Sequence, residues 1–326
     1  MLCSVVILNW NGASDTIECL KSLYNAKGEH FIVVVDNGSS DDSVERIIGY
    51  LSNSNIKYRV RERGEKLGDA PDAFECIVFK TLANFGFAKG NNEALRFLAP
   101  HTADSYILLN NDTLVEEDFL TELQNFASTH TEYKALTPII CYESKRSLIW
   151  NCGGRQKAGF RKYYYARQNI SEIRETKHID ITFVTGCALF FRPDILLNDG
   201  GIFTEKFFFG EEDFNFCIKM NKLGNKMACV LTSKIYHKVS SSTTNNDPIG
   251  KTYIYYLNRY IDIKQNYSTP FYFLWKTINF PNVLRILKNK GLKFGDAIRW
   301  TLKLQSDADE KDSVSYTDFI QALKIK

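Results

Sequence analysis

The sequence predicts an α/β fold with a mostly parallel central sheet flanked by helices and a small C-terminal helical extension. Apolar runs at 2–8 and 31–35 are too short for buried helices, and polar residues follow each of them. A third such run ends in Asn110, Asn111 and Asp112. Parallel strands of an open α/β sheet bring their carboxyl ends to one crevice, where ligands bind. We therefore expect the functional site at these strand ends.

The first helix is predicted directly after the first strand. Ile17, Leu20 and Leu23 have helical spacing, and Ser14 or Asp15 is placed to cap the helix N-terminus. Another strand and another helical pattern follow. Strand, helix, strand, helix is the order that produces a parallel sheet with right-handed crossovers.

The pattern becomes less regular after the second helix, which is predicted over 44–51. Residues 57–61 predict a third strand. Residues 62–82 mix charges and glycines with a small apolar patch, and we interpret them as an insertion, a loop with a short helix. The glycine-containing segment 84–92 then opens a further helix, and its small residues would let backbone N–H groups approach an anion.

The second half is predicted to combine short strands with helices. Strands are expected over 182–191 and over 227–232, and a helix that opens at Glu212 and Asp213 is expected to end at Gly224. Helical patterns dominate the C-terminal part. We divide the chain into a catalytic domain and a helical extension at these bounds: 1–242, with a donor half of about 1–115 and an acceptor half of about 116–242, and 243–326.

The last two helical patterns are separated by a charged stretch at 307–312, which we interpret as a linker. Ser315 and Asp318 have the spacing of a capping box at the start of the final helix. The basic and aromatic tail over 252–303 suits contact with a membrane surface. Helices packed against the catalytic domain would give the same composition, so both interpretations stay open.

Composition excludes several classes of protein. The chain has 326 residues, 44% hydrophobic and 24% charged, with a net charge of +3, which gives no indication of a nucleic-acid partner. Eight cysteines without a Cys-x-x-Cys pair indicate neither a zinc site nor a disulfide framework, so we expect a cytoplasmic protein. We expect no signal peptide, and Lys276 and Arg285 interrupt the most apolar stretch of the tail.

Six segments together resemble the family-2 glycosyltransferases, which are inverting enzymes of the GT-A fold. They are SVVILNWNG (4–12), VVDNGSSDDS (34–43), NFGFAKGNNEAL (84–95), LLNNDT (108–113), TGCALFFR (185–192) and FGEEDFNFCIK (209–219). The similarity covers roughly the first 240 residues. It is greatest to the branch that builds bacterial surface polysaccharides such as capsule and O-antigen, which includes rhamnosyl- and galactosyltransferase-like members. It implies sugar transfer from a UDP- or dTDP-sugar to a saccharide or lipid-linked saccharide at the inner face of the cell membrane.

The resemblance implies a donor site at the strand ends. Asp36 would accept a hydrogen bond from the nucleobase, although a turn-forming Asp gives the same pattern. Asp112 matches the last acid of the family's DxD-type motif and would hold Mn²⁺ or Mg²⁺ together with His237. Because Asn110 and Asn111 replace the earlier acids, the phosphates would have to supply much of the ligation. The predicted donor-binding residues are Leu8, Asn9, Trp10, Asp36, Asn37, Asn84, Gly86, Lys89, Gly90, Asn111 and Asp112.

Glu212 and Asp213 match the family's acidic pair. Inversion requires a base that removes the proton of the acceptor hydroxyl on the side opposite the leaving nucleotide. The resemblance assigns Asp213 as this base and Glu212 as its catalytic neighbour, whereas acids in a first helical turn also complement the helix dipole. Gly186, Phe209 and Glu211 are predicted to contact the acceptor.

Two other functions fit parts of the sequence. A sugar nucleotidyltransferase also uses a parallel sheet and a metal, but it normally has a basic Gly-rich loop after the first strand, and 9–12 contains no Arg or Lys. A non-catalytic nucleotide- or saccharide-binding protein on a decayed transferase scaffold would explain the missing acids at Asn110 and Asn111. The intact Glu212 and Asp213 pair argues against it.

Overall fold

The computed structural model describes residues 2–99, 103–239 and 248–325, and the predicted domain boundary at 242/243 lies outside them. The strands are β1 (Cys3–Asn9), β2 (His30–Asp36), β3 (Tyr58–Glu62), β4 (Cys76–Lys80), β5 (Ser105–Asn110), β6 (Thr113–Val115), β7 (Tyr133–Tyr142), β8 (Lys145–Asn151), β9 (Gly154–Lys157), β10 (Phe160–Tyr163), β11 (His178–Ile181), β12 (Ala188–Phe191) and β13 (Lys226–His237). The helices are α1 (Ala13–Tyr24), α2 (Ser43–Asn53), α3 (Gly86–Leu98), α4 (Phe119–Thr129), α5 (Glu212–Lys222), α6 (Pro248–Asn266), α7 (Thr269–Asn289), α8 (Phe294–Glu310) and α9 (Tyr316–Ala322).

One large sheet organises the molecule, with the strand order β11-β13-β7-β12-β5-β1-β2-β4-β3. The five strands from β5 to β3 are parallel, so their carboxyl ends share one edge. The other half of the sheet is mixed, since β12 runs antiparallel to both β5 and β7. Strands β6 and β8 join it at β13 and β7, and β9 and β10 form a separate hairpin. The prediction of an α/β fold with a C-terminal helical region is confirmed.

Hydrophobic cores cover both faces of the sheet. Side chains alternate along a strand, so Val5 and Ile7 of β1 belong to one core and Val6 belongs to the other. The core that contains Val6 also contains Leu257 of α6 and Leu304 of α8. The C-terminal helices therefore pack on the same core as the sheet. Among the described residues, no helix is both long enough and apolar enough to cross a membrane.

The segment interpreted as an insertion contains an interior strand, so that interpretation of 62–82 is wrong. β4 lies between β2 and β3 and pairs in parallel with each of them. The apolar residues Cys76, Ile77, Val78 and Phe79 are buried because helices cover both faces of the sheet. No short helix forms in the segment, and β3 becomes the edge strand instead.

Two strands in the second half differ from their predicted lengths. β12 begins at Ala188, because the residues before it turn towards α5: the Val184 N–H donates to Cys217 Sγ at 3.3 Å. β13 extends to His237, well beyond the predicted end at 232. An irregularity between Val230 and Lys234 lets the strand continue its pairing with β7.

Helix ends also differ from the predictions in two places. Ser14 and Asp15 lie inside α1, whose N-cap is Gly12 without a side-chain cap. Residues 307–310 of the predicted linker continue α8, where Asp307 accepts hydrogen bonds from Tyr253 and from Lys303. The prediction of a capping box at Ser315 is confirmed, as is the end of α5 before Gly224.

Candidate active site

A cavity of about 310 Å³ lies at the carboxyl ends of β1, β2 and β5. Ligand pockets in proteins begin at about this size. The predicted residues on its wall are Leu8, Trp10, Asn37, Asn84, Gly86, Asn111, Asp112 and Phe209. Residues on the wall that were not predicted are Phe87, Phe208, Asn110, Lys251, Tyr316, Phe319, Ile320 and Leu323. The strand ends thus form one wall, and the C-terminal helices supply another.

Four predicted donor residues, Asn9, Asp36, Lys89 and Gly90, do not line the cavity, and Asp36 and Asn9 form a polar network. Asp36 is buried, its Oδ1 accepts a hydrogen bond from Asn9 Nδ2 at 3.1 Å, and its Oδ2 accepts one from the Ser39 N–H at 3.2 Å. These bonds fix the turn after β2. Lys89 places its Nζ 4.6 Å from the centre of the Phe85 ring. Gly90 is the fourth of these residues.

Asn37 holds the glycine-containing loop against the sheet. Its Nδ2 donates to Asn84 Oδ1 at 3.1 Å and to the Gly86 carbonyl at 3.2 Å, and its Oδ1 accepts from the Phe85 N–H at 3.1 Å. Gly90 permits close packing here, because a Cβ at this position would lie 3.2 Å from the Asn37 side chain. The loop is therefore fixed by neutral amides.

Asp112, on the cavity wall, is in contact with His237. Pairing of β6 with β13 places Thr113 opposite His237, and His237 Nε2 then lies 3.1 Å from Asp112 Oδ1. Trp150 packs edge-on against the imidazole, with ring centres 4.5 Å apart. Burial alone would lower the pKa of His237, but the neighbouring Cys187 thiol and the Asp112 carboxylate together raise it to about 10. The two predicted metal ligands are in contact.

The donor atoms at Asp112 and His237 fit a divalent cation that is shared with a substrate. Among the described residues, no group of three or more His, Cys, Asp or Glu could hold a metal. A carboxylate and a deprotonated imidazole supply two ligands that Mn²⁺ accepts, so binding of the cation would release the proton of His237. Asn111 is anchored beside this pair, because its Nδ2 donates to Thr16 Oγ1 at 3.0 Å.

The predicted base lies in the first turn of α5. Gly210 and Glu211 both have positive φ, +85° and +68°, and this tight turn starts the helix at Glu212. Asp213 Oδ2 accepts a hydrogen bond from the Gly186 N–H at 3.4 Å. Arg161 Nη1 lies 3.9 Å from Asp213 Oδ1. The predicted residues Gly186 and Asp213 therefore come together, and Arg161 joins them.

Glu211 is a buried carboxylate held by two arginines. Its Oε1 accepts hydrogen bonds from Arg161 Nη2 at 3.2 Å and from Arg259 Nη2 at 2.7 Å, and its Oε2 accepts from Arg259 Nε at 2.9 Å. Sequence reasoning gave neither arginine a role. A second cavity of about 220 Å³ adjoins this cluster, and its lining is Arg161, Glu211, Thr252, Tyr255, Tyr256, Arg259 and Ile286.

The pKa values of both acids at the start of α5 are raised. Burial is the main cause at Glu212, and the neighbouring Asp213 charge raises its pKa further. Burial also raises the pKa of Asp213, but there the Arg161 guanidinium opposes the rise. Asp213 is thus the acid of the pair whose ionised form has a cationic neighbour. A raised pKa is typical of a general base that works near neutral pH.

Backbone contacts join the base to the end of β5. The Asn110 N–H donates to the Cys187 carbonyl at 2.9 Å, and the adjacent Gly186 N–H reaches Asp213. Phe209 lines the larger cavity only two residues before Glu211. The candidate base and the candidate metal ligand Asp112 therefore lie at the same edge of the sheet.

The fold is similar to the GT-A fold of solved glycosyltransferases. Residues 4–75 match the family described as glycosyl transferase family 2. No curated protein matches the sequence at a significant level.

Solved structures with the same fold include the mannosyltransferase PcManGT from Pyrobaculum calidifontis in complex with GDP-Man and Mn²⁺, with a TM-score of 0.54 and 14% identity, over 98% of this chain and 78% of that one. GalNAc-T7 with UDP, GalNAc and Mn²⁺ has a TM-score of 0.57 and 14% sequence identity, and the match covers 98% of this chain. S. aureus TarS has a TM-score of 0.50 and 16% sequence identity, and the match covers 94% of this chain. The chain covers 56% and 54% of these two proteins. At such identities the likeness concerns the fold.

Proposed function

We propose that this protein transfers a sugar, with inversion, from a UDP- or dTDP-sugar to a saccharide or lipid-linked saccharide acceptor during the synthesis of a bacterial surface polysaccharide. One observation carries the proposal. A ligand-sized cavity at the strand ends contains Asp112, and the half-buried acid Asp213 stands at the same sheet edge with a raised pKa. Donor binding and proton removal would then take place side by side.

Asp213 acts as the base in the proposed reaction. Its carboxylate takes the proton of an acceptor hydroxyl while that oxygen forms a bond to the anomeric carbon of the donor sugar. The bond from the anomeric carbon to the diphosphate breaks on the opposite face, and the nucleoside diphosphate leaves with its electron pair. The Gly186 N–H and Arg161 hold the Asp213 carboxylate in position.

Asp112 and His237 would hold Mn²⁺ or Mg²⁺ when the donor is bound. Such a cation neutralises negative charge that develops on the departing diphosphate. Asn111 and Thr16 keep the Asp112 turn in place through their own hydrogen bond. The aromatic walls of the cavity, such as Trp10 and Phe209, offer flat surfaces for a base or a sugar ring.

The membrane contact is assigned to one face of α7. Phe273, Leu274 and Ile278 are more than half exposed on this helix. The exposed basic residues Arg285 and Lys288 follow towards its C-terminal end. An apolar face beside cationic side chains matches the interface of an anionic membrane, where lipid-linked acceptors lie. Co-sedimentation with vesicles that contain anionic lipid, compared with neutral vesicles, measures this contact, and equal recovery from both would count against it.

A thermal-shift panel tests the donor site. Purified protein is heated with UDP, dTDP, GDP or CMP, each with Mn²⁺ or with EDTA, because ligands that bind only the folded state raise the melting temperature by mass action. We expect a metal-dependent shift for one pyrimidine diphosphate, followed by turnover of the matching nucleotide sugar to a product of inverted configuration. Binding without turnover of any sugar acceptor would favour the non-catalytic alternative. No shift with any nucleotide would contradict the proposal.

A further inference from the structure

The far wall of the larger cavity belongs to α9, a helix at the other end of the chain from β1. Tyr316, Phe319, Ile320 and Leu323 line the cavity. Three contacts hold this wall in place. The Phe208 N–H donates to the Val314 carbonyl at 2.9 Å, directly before α9. The rings of Phe208 and Tyr316 pack with centres 4.9 Å apart, and those of Phe209 and Phe319 with centres 5.1 Å apart.

The start of α6 is fixed against the same helix. A Cβ at Gly250 would lie only 2.3 Å from the Ala322 carbonyl oxygen, so the two backbones are in close contact. This packing delivers the next residue, Lys251, to the wall of the cavity. Lys251 is half-buried and lies in the first turn of α6. Its position is therefore set by backbone packing.

Lys251 is a cation without a counter-ion within the described parts of the chain. The salt bridges there pair other lysines and arginines with carboxylates, and none of them includes Lys251. The acidic residue on the cavity wall is Asp112, and its carboxylate is already paired with His237. A half-buried ammonium group stabilises an anion at short range more than a fully hydrated one does.

We propose that Lys251 binds the diphosphate of the donor nucleotide. This inference rests on the proposed function and adds a second source of positive charge to the site. The site has one acid where the DxD-type motif has two, so a single cation held by Asp112 and His237 would be weakly bound. A lysine opposite the strand ends offsets part of the charge of two phosphates and of the leaving group. The C-terminal helices thus complete the donor site.

Matched variants and two ligands test this role. Affinities for UDP and for uridine, or for the diphosphate and nucleoside of whichever base the wild-type protein binds, are measured by calorimetry for wild type, Lys251→Gln, Lys251→Arg and Lys290→Gln. Lys290 is an exposed lysine beyond the end of α7 and serves as the control. Melting temperatures of all four proteins verify that they are folded.

We expect Lys251→Gln to bind the diphosphate about tenfold more weakly, a change of about 1.4 kcal/mol. Nucleoside affinity should stay the same, because the nucleoside carries no phosphate. Lys251→Arg and Lys290→Gln should bind as wild type does. Unchanged diphosphate affinity in Lys251→Gln, or an equal loss for diphosphate and nucleoside, would overturn this inference alone. A wild-type protein that binds no nucleoside diphosphate would overturn the proposed function and this inference with it.

Discussion

The donor region and the base region of the site are built from opposite kinds of side chain. The donor region, comprising the ends of β1, β2 and β5 with the loop 84–90, is framed by neutral amides such as Asn37. The base region comprises residues 210–213 with Arg161 and Arg259, and there three consecutive acids meet two guanidinium groups. Only the base region is dense in charge.

This difference follows from where the charge originates. A nucleoside diphosphate brings its own charges, so the donor region needs a rigid neutral frame and a few compensating groups. The base region must keep a carboxylate in place without a ligand, and buried carboxylates are stable only when they are paired or protonated. Glu211 is paired with arginines, and a raised pKa favours the protonated form of Glu212.

Removing the base should have the largest effect. Asp213→Asn keeps the shape of the side chain but cannot take the acceptor proton, so we expect turnover to fall by about 10²–10⁴-fold. Affinity for the nucleoside diphosphate should not change, since Asp213 does not line the donor cavity. Steady-state kinetics and calorimetry measure the two quantities. Asp69→Asn, in an exposed loop, is the control. A large loss of nucleotide affinity in Asp213→Asn would contradict the separation of the donor region from the base region.

Neutralising Glu211 should strongly destabilise the fold. Glu211→Gln leaves Arg161 and Arg259 facing a neutral amide, and breaking a buried ion pair in this way costs about 3–5 kcal/mol. Chemical denaturation measures the free energy of unfolding. Glu132→Gln, an exposed residue on the opposite part of the sheet domain, should cost almost nothing. Equal stability of Glu211→Gln and wild type would mean that the cluster is not structural.

The donor loop should be sensitive to shape. Gly86 has φ +78°, and a Cβ there would lie 2.0 Å from the Phe208 carbonyl oxygen. Gly64 has φ +95° but open space around it. Gly64→Ala should therefore cost about 1–2 kcal/mol from backbone strain alone, and Gly86→Ala about 1–3 kcal/mol more from the clash. Denaturation of both variants gives the difference, and equal costs would refute the close packing of the loop.

The smallest effect concerns the pH dependence of stability. The Glu212 carboxyl has a raised pKa in the folded state, so it keeps its proton at pH values at which the unfolded chain has lost it. The free energy of unfolding therefore falls as pH rises from the ordinary pKa of a glutamate towards the raised pKa. Glu212→Gln removes this pH dependence, because a glutamine side chain does not ionise. Relative to wild type, its melting temperature should rise between pH 5 and pH 8, by about 2 °C for each kcal/mol. Parallel curves for the two proteins would contradict the raised pKa of Glu212.

The sequence was sufficient for most of the parallel half of the sheet. Its buried strands are short apolar runs, and the polar residues that end them, such as Asn9 and Asp112, are visible without a structure. The strand β4 was missed because four apolar residues inside a charged stretch also suit a surface patch. Whether such a run is an interior strand depends on the partners on either side, here β2 and β3.

The candidate site also contains residues that the sequence predicted and residues that only the structure revealed. Motif resemblance selected Asp112, His237 and Asp213, since local sequence specifies the turn, strand or helix on which each residue stands. It gave no indication of Lys251 or of the α9 wall, and it left Arg259 without a role. These residues reach the site through packing between segments far apart in the chain, and that packing leaves no local periodicity. The sequence by itself determined which groups end the strands, and the tertiary structure alone decided which distant side chains face them.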